Sequence, residues 1–233
     1  MSSQIDLGRI DPDAQRGRRL APVRMLLPLG WVLACVGFFG PWVAHTTAGL
    51  TITGVDMAEF VKFLPGVLDG SLPVARQLFY LPPLVVVVSV ALLIGSRELR
   101  YPGPMQALFL ALAVLVSLQL LPPAWSPASL RTSEFRLQAI ALGGCWLLLA
   151  GFWLLARLPT WLTGSLTALV ALVALILSGW QFLIAKPGID GVYGIPPSTG
   201  WGLYLCLTGL ALLAAAGALL AWLTRLQARR AEL

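Results

Sequence analysis

Six stretches of this chain, each 18 residues or longer, contain no Asp, Glu, Lys, Arg or His: 25–44, 78–95, 104–122, 137–156, 162–185 and 201–223. A run of that length crosses a hydrocarbon core of about 30 Å as an α-helix, whereas a soluble surface helix needs a polar face toward water. With 58% hydrophobic and 11% charged residues, the remaining polar surface is too small to cover a water-soluble globule of 233 residues. The sequence therefore specifies an all-α integral membrane protein, a bundle of six transmembrane helices. Pro28, Pro82, Pro83 and Pro104 fall near the starts of their spans, where a missing backbone N–H costs little, so they are expected to open helices and not to break them.

The formal net charge of +6 sorts by membrane side, which accounts for it without a nucleic-acid partner. Six spans place both termini and the loops after spans two and four on one side, with Arg9, Arg16, Arg18, Arg19, Arg24, Arg97, Arg100, Arg157, Arg225, Arg229 and Arg230. The opposite side holds Lys62, Arg76, Arg131, Arg136 and Lys186. Because Lys- and Arg-rich short loops stay cytoplasmic, both termini are expected inside a cell (plasma or inner) membrane. The first span is longer than a signal-peptide core and no small-x-small cleavage site follows it, so an uncleaved anchor is expected. The organisation is then a cytoplasmic polar and basic tail over 1–24, a six-helix domain over 25–224 and a second basic tail over 225–233.

Most irregular sequence lies on the outer side, near 45–77, 123–136 and 186–200. In the first of these, Asp56 followed by Glu59 reads as a capping box, Met57, Phe60, Val61 and Leu64 form one apolar face, and Pro65-Gly66 ends the segment. This is an amphipathic loop helix lying in the outer interface, with Glu59 and Lys62 spaced to pair. The functional alternative gathers His45, the only histidine, with Asp56, Glu59 and Asp190 into a polar mouth for a cation or polar ligand. One histidine and scattered carboxylates have no metal-ligand spacing, so no metal and no cofactor are expected. Ser198 lacks a paired base and reads as a cap for the last span. Cys35, Cys145 and Cys206 each stand alone in a span and read as packing residues.

Small residues spaced by four, Gly164 with Ala168, Ala211 with Ala215 and Ala214 with Ala218, let helix backbones approach, within the bundle or against a partner. Tryptophans at span ends, among them Trp42, Trp125, Trp180, Trp201, Trp153, Trp161 and Trp222, form an aromatic belt. Spans without ionisable groups argue against proton pumping. These features favour a non-enzymatic accessory or structural subunit of a larger membrane complex, whose partners are the bilayer and other membrane subunits or copies of itself. Small-solute transport under the outer loops and a membrane-embedded enzyme are the alternatives.

Overall fold

A computed structural model describes residues 12–44, 51–122, 125–193 and 196–231. It is mostly helical, with five helical segments long and apolar enough to cross a membrane: 17–39, 76–93, 103–120, 160–192 and 201–226. The main helices are α1 (Pro12–Phe39), α4 (Leu81–Leu93), α5 (Gly103–Ser117), α6 (Arg136–Ala150), α8 (Thr160–Val192) and α9 (Trp201–Ala231). Short helices α2 (Gly54–Phe60), α3 (Pro65–Leu68) and α7 (Phe152–Leu155) lie between them. The fourth expected span, 137–156, is not one continuous helix. It breaks at Gly151 into the 15-residue α6 and the four-residue α7.

Glycine sets the architecture. In α1 and α9, Gly37 and Gly209 bring the two backbones together: a Cβ on Gly37 would lie 2.1 Å from the Cys206 nitrogen, and one on Gly209 would lie 2.3 Å from the Ala34 nitrogen. The same happens between α8 and α9, where a Cβ on Gly217 would lie 2.7 Å from the Ala168 nitrogen and one on Gly164 2.9 Å from the Gly217 carbonyl. Lipid tails are as apolar as leucine, so helices in a bilayer gain little from the hydrophobic effect and associate through such close backbone packing. Helix α9 is thus clamped between α1 and α8. On the other side of the bundle α4 packs against α1, α5, α6 and α8, while α5 and α6 are peripheral.

Polar side chains within the apolar depth serve as helix-to-helix bonds. Trp31 Nε1 donates to Ser89 Oγ at 2.8 Å, Trp146 Nε1 to Ser117 Oγ at 3.0 Å, and Ser178 Oγ to the Leu78 carbonyl at 3.2 Å. Each joins two different helical segments where no water is on hand to satisfy the donor.

Two expectations about prolines and helix limits change. Helix α1 begins well before residue 25, so Pro28 lies in its interior with Pro22. A proline at 28 has no N–H for the Arg24 carbonyl four residues back. The Tyr101 hydroxyl donates to that carbonyl at 3.1 Å. Tyr101→Phe is expected to cost about 1 kcal/mol, the usual value of such a bond, and to cost less in a Pro28→Ala background, where the helix supplies its own N–H. Thermal unfolding of the four variants in detergent reads that coupling. Helix α8 in turn continues through Lys186, Pro187 and Gly188 into what reads as loop. Packing prevails over the local breakers there: Ile189 is fully buried, and Gly188 leaves room for Leu64 and Leu72 of the segment before α4.

A small sheet, not expected from the sequence, caps one end of the bundle. Strand β1 (Pro41–Ala44) pairs antiparallel with β2 (Thr51–Thr53) on one edge and with β3 (Ser198–Thr199) on the other, giving the order β2-β1-β3. Trp42 points beneath it, wholly buried, with Nε1 donating to the Gly37 carbonyl at 3.0 Å and its ring edge-on to Phe38, Phe79 and Phe182. Trp42 is a core residue and not part of a belt, whereas Trp125, Trp153, Trp180, Trp201 and Trp222 are more than half exposed. We call this the sheet end. The start of α1 and the end of α9, which are antiparallel neighbours, lie at the opposite, tail end.

Candidate functional site

At the sheet end, four charges on three separated segments converge. Glu59 of α2 meets Lys62 at 2.5 Å and Arg76, in the 3-10 turn that leads into α4, at 3.1 Å. Arg76 also reaches Glu134, just before α6, at 3.1 Å, and Lys62 lies 3.6 Å from the same carboxylate. The Arg76 guanidinium donates further to the Glu134 backbone carbonyl and sits 5.3 Å over the Phe135 ring. Two positive and two negative groups thus close on each other and tie the loop helix to the segments that lead into α4 and α6. The Tyr80 hydroxyl lies 3.5 Å from Glu59 Oε1, and Gln138 faces Tyr80 from α6. Gln138 is 4% exposed, and its amide lies against the Tyr80 hydroxyl.

The residues singled out from sequence fare differently. Asp56 belongs to a capping box, but as its fourth member. Thr53 is the N-cap: its Oγ1 accepts from the Asp56 N–H at 3.4 Å, and Asp56 Oδ2 accepts from the Thr53 N–H at 3.1 Å. The box is Thr53-Gly54-Val55-Asp56, one turn earlier than the Asp56 to Glu59 reading, and this frees Glu59 for the ion network. Met57, Val61 and Leu64 are buried as their spacing requires, with Phe60 half-buried. Asp190 pairs with Lys186 one turn earlier on α8. Ser198 sits in β3 and gives its hydroxyl to the Ala44 carbonyl at 3.1 Å, not to the start of α9. His45 lies outside the described residues. Among those residues, no group of three or more His, Cys, Asp or Glu side chains stands close enough to hold a metal.

The small residues divide. Gly164 and Ala168 face α9 and make its closest contact with α8. Ala211, Ala215 and Ala218 are exposed, and Ala214 is half-buried. With Tyr204, Thr208 and Trp222 they form an outward stripe along α9, on the face that neither α1 nor α8 covers. An apolar opening of about 510 Å³ lies between α1 and α5 over α4, lined by Trp31, Cys35, Val36, Val90 and Phe109, with the Gln119 amide at its edge.

The tail end is basic. Arg24 donates to the Glu98 backbone carbonyl at 3.3 Å, and Ser96 Oγ and Thr160 Oγ1 are 3.4 Å apart, linking the α4–α5 loop to the start of α8. Burial pushes the Tyr101 hydroxyl well above its ordinary pKa, with the Arg24 charge pulling the other way, so it remains the donor that Pro28 requires. Arg100 holds a positive φ of 46° in this tight loop, and Leu99 beside it is wholly buried. Arg157 stacks 5.2 Å over Trp153, and Arg225 4.6 Å over Trp161.

Comparison of the chain with protein-family models, with curated proteins and with solved structures returned no match.

Sequence reasoning missed Arg76, Glu134, Tyr80 and Gln138 as companions of Glu59. Arg76 carried a signal, being a lone basic residue just before an apolar run on the side poor in basic residues. Glu134 and Gln138 carried none, because nothing local relates residues 58 to 79 positions from their partners.

Proposed function

We propose that this chain is a six-crossing, non-enzymatic membrane subunit that works by associating with another membrane protein, with its tail end cytoplasmic. One observation carries the functional part: the outward stripe Ala211, Ala215 and Ala218 on α9. The other faces of that helix use small residues to seat α1 and α8, and a third set of small residues one turn apart suits another helix in the same way. The six-crossing part is supported by the path of α6 and α7. Glu134 meets Arg76 at the sheet end, and Ala156 packs against Gly95 in the tail-end loop after α4, so residues 136–156 run from one end of the bundle to the other. The excess of arginine at the tail end supports its cytoplasmic placement.

Stable co-purification of a second membrane protein in stoichiometric amount, from native membranes at endogenous level, is the expected result. Ala215→Leu and Ala218→Leu should weaken that association severalfold, with Ala214→Leu weaker in effect. Association undiminished in all three removes the α9 stripe as the interface, and recovery of the chain alone removes the subunit reading.

A second reading, small-solute binding at the sheet end, is favoured by the buried Gln138 amide, which reaches no carboxylate or backbone group and lies beside Tyr80. It competes poorly, because Asp56, Glu59 and Asp190 already bind protein partners. A solute present at a hundred times its dissociation constant should add about 2.7 kcal/mol of stability. Polar solutes that produce no thermal shift sink this reading.

A further inference from the structure

Between the α4–α5 loop and the start of α8, at the tail end, lies a mostly polar pocket of about 300 Å³ whose lining includes Arg97, Glu98, Arg157 and Thr160. Neither Arg97 nor Arg157 makes an ion pair with another described residue, and both side chains are exposed at the rim. The guanidinium of Arg157 is held over the ring of Trp153, a residue 53% exposed, and Leu154 and Leu158 beside it are exposed as well. We propose that this pocket binds the phosphate of one anionic phospholipid headgroup.

Two guanidinium groups from different loops offer planar, charge-assisted donors to a phosphate. Glu98 contributes one opposing charge, which leaves the lining net positive by one. Thr160 is also the first residue of the 33-residue α8, whose positive dipole end faces the pocket without a side-chain cap. Trp153, Leu154 and Leu158 provide the apolar surface along which acyl chains would run, the feature that distinguishes a lipid from free phosphate. Placement in the cytoplasmic leaflet, where anionic lipid is concentrated, rests on the tail-end orientation proposed above. Binding itself is measured on the isolated chain, so its failure is separable from failure of the subunit reading.

The full chain is purified in mild detergent, stripped of lipid, and titrated with phosphatidylglycerol, with phosphatidylcholine or with inorganic phosphate. Native mass spectrometry counts bound molecules, and thermal unfolding reads stabilisation. One phosphatidylglycerol per chain is expected, with a rise in melting temperature that phosphatidylcholine does not give. Binding should weaken about fivefold for each of Arg97→Gln and Arg157→Gln, and about thirtyfold in the double variant. Arg18→Gln/Arg19→Gln, which removes the same charge from exposed positions outside the pocket, should keep the bound lipid. Equal loss in that control, several lipids bound without saturation, or equal stabilisation by inorganic phosphate would each overturn the proposal. Variants whose melting temperature without lipid matches the parent's show that the loss is not misfolding.

Discussion

Gly37→Ala and Gly209→Ala should each lower the melting temperature of the purified protein by about 6–12 °C. A methyl group in a helix interior normally favours the helix by about 1 kcal/mol relative to glycine. Here it meets backbone nitrogen at 2.1 and 2.3 Å, and backbone cannot swing aside as a side chain can. Overpacking of this kind costs about 1–3 kcal/mol when side chains absorb it, so the upper end is expected once propensity is offset. A loss of about 3 kcal/mol converts to the stated shift for a chain of this size. Gly143 and Gly144 of α6 provide the control, since a Cβ at either meets nothing within 4 Å. Gly143→Ala and Gly144→Ala should therefore leave the protein as stable or slightly more so. If all four behave alike, α9 is not clamped against α1 as described.

Removing the central cation of the sheet-end network should have the next largest effect. Arg76→Gln leaves Glu59 and Glu134 sharing Lys62, which lies 2.5 Å from one and 3.6 Å from the other. Breaking a fully buried pair costs about 3–5 kcal/mol. The Arg76 side chain is 12% exposed but Glu134 is 50% exposed, so solvent screening reduces the expected loss to about 2 kcal/mol. Glu59→Gln in the Arg76→Gln background should cost less than Glu59→Gln alone, because its partner is already gone. The loss should be local. Hydrogen exchange should quicken over residues 54–80, where the network anchors α2 and the 3-10 turn before α4, and should change little in α9. Uniform quickening would mean that the network supports the whole bundle.

The sequence conveyed the features that depend on long, one-dimensional patterns. Five of the six charge-free windows overlap helical segments long enough to span a membrane, because a hydrocarbon core tolerates little else. The sixth contains Gly151, and the same composition admits a break there. The apolar face of α2 was legible for the same reason, since three- and four-residue spacing needs no partner to be read. Its cap was misplaced because Thr-x-x-Asp at 53–56 and Asp-x-x-Glu at 56–59 both fit the pattern, and only the end of the preceding strand at Thr53 decides between them. Strands of four, three and two residues are too short for alternation to show. Their pairing joins residues 41–44 to 198–199, a contact no local pattern encodes. Trp42 reads as a belt residue until β1 turns its ring under the sheet. The small-residue spacing identified faces that approach closely, yet could not say that Gly164 and Ala168 meet α9 while Ala211, Ala215 and Ala218 face outward.

The proposed sides of the tail-end pocket and of the sheet presuppose six crossings as well as the arginine bias, so that count is the point to test. In a background with Cys35, Cys145 and Cys206 replaced by Ala, single cysteines at Ser71, Ser133, Arg97 and Leu158 are labelled in intact cells with a membrane-impermeant maleimide. Ser71→Cys and Ser133→Cys should react at once, and Arg97→Cys and Leu158→Cys only after permeabilisation. Reaction of Leu158→Cys in intact cells alongside Ser133→Cys would mean that α6 and α7 do not cross, and the six-crossing account would be wrong.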